Sequence, residues 1–281
     1  MAFPPNKTKI VCTIGPASDS QDILERLIRA GMNVARLNFS HGDFAEHQAV
    51  IRRIREASRT TGQRVAIMAD LPGPKIRLGQ FAEEPVKLRV GDTFTLTTEE
   101  IEGTVDRVSV TFAELPQAVR PGNRLFLNDG LIQLKVLESV GREVHCEVLI
   151  GGQLSSRKGL NLPGIDLGIS AFTDHDRHCL AFALENGVDA ISQSFVENAT
   201  DIAAVRKAAA DIGHDPFLIA KIERSGALDH IDDILQAADG IMVARGELGV
   251  EIPIAQIAIV QKQLLWKANR LGKPVISATK M

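Results

Sequence analysis

The chain has 281 residues, a formal charge of −3, and 24% charged side chains of both signs. That length supports a large core and more than one structural unit, and the mixed charge excludes a global basic footprint for nucleic acid. No apolar run approaches the ~20 residues that span a bilayer, the first residues lack the apolar core of a secretory signal, and Cys12, Cys146 and Cys179 are too few and too scattered for a disulfide framework or zinc pattern. A cytoplasmic protein with reduced thiols, bound to neither membrane nor nucleic acid, is expected.

Residues 9–14 form a short apolar run that ends at Gly15-Pro16, a strand followed by a turn. Asp19 and Ser20 can cap a helix to Ala30, closed by Gly31. Residues 33–39 read as the next strand, 44–60 as a helix stopped at Gly62, and 65–71 as a third strand. Strands and helices alternating at this length predict parallel βα units. The rhythm breaks at Pro72 and resumes near Phe172. Between them, segments such as 86–90, 93–96, 108–111, 124–127, 131–136 and 144–150 alternate with period two, punctuated by Gly91-Asp92, Asp129-Gly130 and Gly151-Gly152. The pattern predicts an antiparallel β domain, residues 74–166, set into the loop after the third barrel strand. An insertion at that rim can act as a lid that excludes water.

The barrel pattern, begun in residues 1–73, continues in residues 167–281. A helix runs from Thr173 to about Glu185, a strand over 190–196, a helix over 199–212, and a covered strand over 217–222. Ser225 can cap the next helix, whose apolar stripe is Leu228, Ile231, Ile234 and Leu235. A second covered strand, 240–243, opens into Arg245-Gly246-Glu247-Leu248-Gly249. Residues 254–271 predict a long helix, apolar on more than one side and carrying Trp266, so that part of it can face another subunit. Residues 273–281 are a seventh strand.

The densest chemistry lies where these central strands end. Lys221 and Glu223 are two apart and point to one face, and Glu247 follows one βα unit later, at the same carboxyl rim where barrel active sites lie. Two carboxylates plus substrate oxygens make a hard shell for Mg²⁺ or Mn²⁺, and the lysine adds positive charge where a phosphoryl or enolate charge would develop. The plainer alternative is a strand-end ion pair between Lys221 and Glu223. Gly246 and Gly249, which bracket Glu247, favour the site reading because glycines let backbone N–H groups approach an anion. At the end of the second strand, Arg36, Asn38 and Ser40 share one face, next to His41.

KIERSGALDHIDDIL and DGIMVARGELGVEIP resemble the corresponding stretches of pyruvate kinases. KTKIVCTIGPAS (7–18), NVARLNFSHG (33–42), DLPGPKIRLG (70–79), NDGLIQLKV (128–136), RKGLNLPG (157–164), SQSFV (192–196) and ISATKM (276–281) match in the same order, so the resemblance covers nearly the whole chain. It implies an α/β fold, a TIM (β/α)8-type barrel with an inserted antiparallel β-barrel lid. Seven strands leave such a barrel one short, with an open edge, so the chain is expected to be part of a longer one and the fold incomplete at its C-terminus.

The resemblance further implies Mg²⁺-dependent phosphoryl transfer from phosphoenolpyruvate to ADP, giving pyruvate and ATP in the last step of glycolysis. Lys221, Arg36 and Thr279 would be catalytic, and Arg245, Gly246, Glu247, Ser194 and Phe195 would join them in binding substrate. Glu223 and Glu247 would hold Mg²⁺ or Mn²⁺. Asn38, Ser40, Asp70 and Leu71 match the monovalent-cation site, and Asn38, His41, Arg77 and Lys158 the nucleotide site. The full-length form would be a homo-oligomer, a tetramer. The chain departs from the common family pattern with Leu71 for threonine, Pro72 for lysine, Lys75 for glutamate, Glu247 for aspartate and Lys280 for glutamine. Lys75 brings an ammonium close to Asp70 in place of K⁺, so no K⁺ requirement is expected. Glu247 moves a carboxylate by about one methylene, which leaves open a non-catalytic relative that only binds ligands. A Mg²⁺-dependent lyase or aldolase acting on pyruvate enolate is the other alternative, and it would need neither Arg77 nor Lys158.

Overall fold

The structure, a computed structural model, describes residues 7–278. The chain opens with β1 (Ile10–Ile14), α1 (Gln21–Arg29), β2 (Met32–Asn38), α2 (Phe44–Thr61) and β3 (Ala66–Leu71). It leaves this pattern for β4 (Val86–Leu88), β5 (Thr93–Thr97), β6 (Arg107–Ser109), α3 (Leu115–Ala118), β7 (Arg124–Leu127), β8 (Ile132–Val140), β9 (Glu143–Ile150), β10 (Gly152–Leu154) and β11 (Leu160–Asn161). It returns with α4 (Asp174–Glu185), β12 (Ala190–Gln193), α5 (Ala199–Asp211), β13 (Phe217–Ile222), α6 (Gly226–Asp229), α7 (Ile231–Ala237), β14 (Gly240–Ala244), α8 (Arg245–Glu251), a 3₁₀ turn (Ile254–Gln256), α9 (Ile257–Arg270) and β15 (Val275–Ala278).

Seven parallel strands form one sheet in the order β1-β2-β3-β12-β13-β14-β15, the arrangement of an α/β barrel, with β1 and β15 at its two ends. Period-two alternation divides their side chains. One set, including Ala35, Leu37, Ile67, Ala69, Leu71, Ile191, Leu218, Ala220, Ile222, Ile241 and Val243, packs outward against Leu24 and Ile28 of α1, Ile51 and Ile54 of α2, Leu180 of α4, Val205 of α5 and Leu235 of α7. The other set points inward. Val11, Val34, Met68, Ala190, Ile219, Met242 and Ile276, one from each strand, make an apolar layer. Two residues further along each strand stand Thr13, Arg36, Asp70, Ser192, Lys221, Ala244 and Ala278. The strand period therefore turns an apolar floor into a polar layer at the carboxyl ends without altering the outer face.

A second core, from Ile76 to Ile165, is built around Phe94, Leu96, Leu125, Leu134, Val144 and Val148. Its sheet runs β11-β7-β8-β9-β5-β6, with β10 and β4 as a separate pair. The predicted antiparallel pairing needs one correction: β5 and β6 are parallel, Leu96 opposite Val108. Residues 98–106 make the crossover between them, where a two-residue hairpin would have set the strands antiparallel.

Local capping explains several boundaries and corrects others. Asp43 and Glu46 form a reciprocal capping box at the start of α2, and Gly62 ends it with φ 67°, the left-handed conformation that glycine adopts without strain. Ser20 and Ser225, expected to cap helices, make no side-chain cap. Ser225 instead donates from N and Oγ to Glu251, and the single helix predicted after it breaks at His230 into α6 and α7. The predicted strand over 190–196 stops at Gln193. Residues 245–249, read as an opening, are the first turns of α8. Residues 254–256 are a 3₁₀ turn rather than part of α9.

Candidate active site

The polar layer is held together by Asp70 on β3, which is buried and sits between two cations. Arg36 on β2 donates from Nε to Asp70 Oδ2 at 2.9 Å, with Nη2 on the same oxygen, and from Nη1 to Thr13 on β1 at 2.8 Å. Ser192 on β12 donates to Asp70 Oδ1 at 2.7 Å. Lys221 on β13 lies 3.3 Å from both Asp70 oxygens. Four strands thus meet at one carboxylate. Burial alone would raise the Asp70 carboxyl, but Lys221 and Arg36 outweigh it and, with the Ser192 hydrogen bond, hold it below the usual carboxylate range.

Lys221 also donates to Ser194 Oγ at 2.7 Å and pairs with Glu223 Oε1 at 2.8 Å. Burial pulls its ammonium down, yet Asp70 and Glu223 more than compensate and raise it above the ordinary lysine value, so it stays charged. The strand-end ion pair is therefore present, inside a larger network. The other Glu223 oxygen accepts from the Phe195 N–H at 2.8 Å. Phe195 reaches that position with φ 58°, a left-handed conformation that strains a bulky residue and recurs at binding sites. Its ring stands over Gly73, where an added Cβ would meet it at 2.9 Å.

Thr13, Arg36, Phe195, Lys221 and Glu223 face a cavity of about 1380 Å³ on the concave side of the sheet, lined also by Asn38, His41, Lys75, Asp129, Arg224, Gly246 and Glu247. Burial pushes the Glu223 carboxyl up; Lys221 draws it back, and Glu247 pushes it up again. Lys221 and Arg36 against Asp70, Glu223 and Glu247 leave one surplus negative charge. Glu223 and Glu247 line the same cavity and repel each other, and a divalent cation bound to their hard oxygens would relieve that repulsion. Each Glu223 oxygen keeps a lone pair beyond the hydrogen bond it accepts. Among the described residues, no three His, Cys, Asp or Glu side chains come together as a closed cage. A metal here would take two protein carboxylates and complete its shell with water and substrate oxygens.

The remaining predicted residues fall in three places. Asn38 lines the cavity, and its side-chain oxygen accepts from Ser40 N at 3.1 Å. His41, exposed at the same rim, has its carbonyl 2.9 Å from His47 Nε2. Arg245 donates from Nε to the Ala278 carbonyl at 3.1 Å, which ties the start of α8 to the end of β15. Leu71 points away into the outer core, so only its carbonyl could serve a cation. Lys75 is exposed on the cavity wall, its stem near Gly159, whereas the side chains that hold Asp70 are Arg36, Lys221 and Ser192. Between Asp70 and Lys75 the chain turns at Gly73, with φ 65°.

Arg77 and Lys158 stand apart from this cluster, on the paired segments where Arg77 bridges Gly159 and Leu78 N donates to the Lys158 carbonyl. Arg77 Nη1 donates to the Arg157 carbonyl at 3.1 Å. Thr279, together with Lys280, lies outside the described residues. Thr13 and Ser192 were missed in the sequence reading. Their signal was there, because each lies two residues beyond an apolar inward position on its strand.

Residues 5–281 match the family model described as pyruvate kinase, barrel domain. The chain belongs to the pyruvate kinase family. A pyruvate kinase of Thermococcus litoralis is 48% identical over 281 residues, all of this chain and 59% of the relative. One from Staphylococcus saprophyticus is 47% identical over 278 residues, 98% of this chain and 47% of the relative. The crystal structure of a pyruvate kinase from Cryptosporidium parvum superposes with a TM-score of 0.92 at 38% identity, covering 98% of this chain and 58% of that one. The chain therefore spans about half the length of the pyruvate kinases it matches.

Proposed function

We propose that this chain forms the catalytic barrel of a pyruvate kinase, which transfers the phosphoryl group of phosphoenolpyruvate to ADP and yields pyruvate and ATP, closing glycolysis in the cytoplasm. One observation carries the reading. A permanently charged Lys221 and Arg36 flank Asp70 on the same cavity that Glu223 and Glu247 face. Phosphoryl transfer is catalysed mainly by positioning and by charge placed where the transferring group becomes anionic.

In this reading Arg36 and Lys221 grip the phosphoryl oxygens. Asp70 does no proton chemistry, because two cations hold it ionised; it keeps both at fixed height. Ser194, bonded to Lys221, limits the ammonium's swing, and the strained Phe195 turn aims a backbone N–H at Glu223. Gly246 lets substrate approach the start of α8 beside Arg245. Mg²⁺ or Mn²⁺, held by Glu223 and Glu247, would polarise the substrate oxygens as a Lewis acid. Thr279 would act, through water, near the carbon that is protonated at the end.

The unit spanning residues 74–166 would close over the nucleotide as a lid and bring Arg77 and Lys158 to its phosphates, with His41 and Asn38 on the barrel side. Asn38, Ser40, Asp70 and the Leu71 carbonyl would form the monovalent-cation site. Two protein cations on Asp70 and a lysine at 75 on the same wall support turnover without K⁺. A tetramer is proposed for the full-length protein, since Ile254, Ile259 and Trp266 present an apolar face at 77%, 60% and 58% exposure. Among the described residues no helix is long and apolar enough to cross a membrane.

The test is pyruvate formation by the full-length protein from phosphoenolpyruvate and ADP with Mg²⁺, in buffers free of and supplied with K⁺. Turnover indifferent to K⁺ supports both parts of the reading. Turnover only with K⁺ removes the role given to Lys75, and ligand binding without turnover leaves a non-catalytic relative.

A further inference from the structure

Arg224 follows Glu223 directly, yet no step above uses it. Its side chain is 11% exposed and reaches in two directions: Nε lies 3.1 Å from Glu197 Oε2, and Nη2 donates to the main-chain carbonyl of Ile165 at 2.7 Å. Ile165 is the last buried residue of the second core, so this bond falls where the inserted unit's chain re-enters the barrel. A few residues on, the chain is held again. Ala171 N donates to Asp201 Oδ1 at 3.1 Å, and the Ala171 carbonyl accepts from Gln193 Nε2 at 2.7 Å. The buried Asp201 also accepts from Glu197 N and Asn198 N, so the group that anchors Ala171 shapes the turn that presents Glu197. Gly226 completes the arrangement: a Cβ there would meet Glu197 Oε1 at 1.7 Å, leaving no room for the carboxylate.

Residues 166–170 are therefore a short connection between two fixed points, one on the insert side held by Arg224 and one on the barrel side held by Asp201 and Gln193. On the outgoing connection, Gly73 N donates to Asp176 Oδ1 at 2.9 Å. A planar guanidinium suits this place, because its rigid fork can pair with a carboxylate on one side while it donates to a carbonyl on the other. We propose that Arg224 is a positioning residue: braced by Glu197, it fixes the point at which the inserted unit rejoins the barrel and so sets where Arg77 and Lys158 stand relative to Lys221 and Glu247. The kinetic consequence rests on the phosphoryl-transfer reading above; the mechanical one does not.

The experiment compares Arg224→Met, Arg224→Lys and Glu197→Gln in the full-length protein by steady-state kinetics on both substrates and by hydrogen exchange over residues 162–172. Arg224→Met is expected to speed exchange over 165–170 and to raise KM for ADP about tenfold, the scale of one lost hydrogen bond from a charged group, with KM for phosphoenolpyruvate nearly unchanged. Arg224→Lys, which keeps the charge but lacks the planar fork, should recover part of both effects, and Glu197→Gln should loosen the connection less than Arg224→Met. Unchanged exchange in Arg224→Met overturns the proposal. So does a loss that falls on kcat or on phosphoenolpyruvate as strongly as on ADP, because Arg224 would then act through Glu223. A wild type that forms no pyruvate while Arg224→Met still speeds exchange sinks the functional reading and leaves the tie standing.

Discussion

Lys221 carries two roles that a single substitution would expose together. Replacing it with methionine leaves Asp70 and Glu223 buried with only Arg36 for compensation, and breaking a buried charge network costs about 3–5 kcal/mol. Lys221→Met should lose turnover and lower the urea-unfolding free energy by that order; lost turnover at unchanged stability would mean the network contributes nothing to folding. Asp70 and Glu223 respond to pH with opposite sign. The depressed carboxyl of Asp70 adds stability above its unfolded value and loses it as pH falls toward the folded one. The raised carboxyl of Glu223 costs stability above its folded value, and that cost fades on acidification. The stability of wild type minus that of Asp70→Asn should therefore be flat above roughly pH 5 and shrink below about pH 4, near the ordinary carboxylate value. A difference that grows toward low pH would contradict the pairing. Glu247 calls for the reverse experiment, shortening a side chain: if glutamate places its oxygen ~1 Å from the ideal, Glu247→Asp should raise kcat by up to ~100-fold. A fall in kcat instead would show the glutamate matched to a shifted backbone.

Elements with strong local signals were legible before any fold was known. The α2 stop follows from Gly62, while the structure adds the Asp43–Glu46 box at its start; Asp43→Ala should cost about 1 kcal/mol in chemical denaturation, because the box satisfies two donors at once, and an effect near zero would mean the rim loop holds the helix start by itself. The covered strands were equally plain, as apolar runs between turn residues. α8 was not, because Gly246 and Gly249 each cost about 1 kcal/mol in a helix interior and so argue for a loop. Tertiary packing overrides them: Leu248 is buried, and Gly249 lies against Ile254 and Ile257. The site was legible in the same uneven way. Lys221 and Glu223 follow from strand period alone. Thr13 and Ser192 look like ordinary strand hydroxyls until parallel register sets Thr13 beside Arg36 and Ser192 beside Asp70. The bent path at Phe195 and the reach of Arg224 to Ile165 depend on contacts distant in sequence, which no local pattern encodes.

At the scale of the whole molecule, the seven-stranded sheet with its helices and the unit between Ile76 and Ile165 bury separate apolar cores that share no buried residue. They are joined through two chain crossings, near Gly73 and near residues 166–170, and meet in few places besides, such as Gly130 against Val250. Free energy gained by burying one core is then only weakly felt by the other, and cooperativity is expected within each rather than across both. Hydrogen exchange in rising urea should separate them: amides of β8 and β9 should merge into one opening transition, and those of β13 and β14 into another with a different midpoint. Ligand should sharpen the contrast. Phosphoenolpyruvate with Mg²⁺ would bind groups of the barrel alone, and binding stabilises what it binds, so it should move the β13 and β14 transition upward while that of β8 and β9 stays in place. ADP, which on the proposed reading contacts both units, should move both. A single transition for all four strands, shifted equally by either ligand, would mean that the two crossings transmit the full folding energy and that the inserted unit cannot move independently of the site it is proposed to cover.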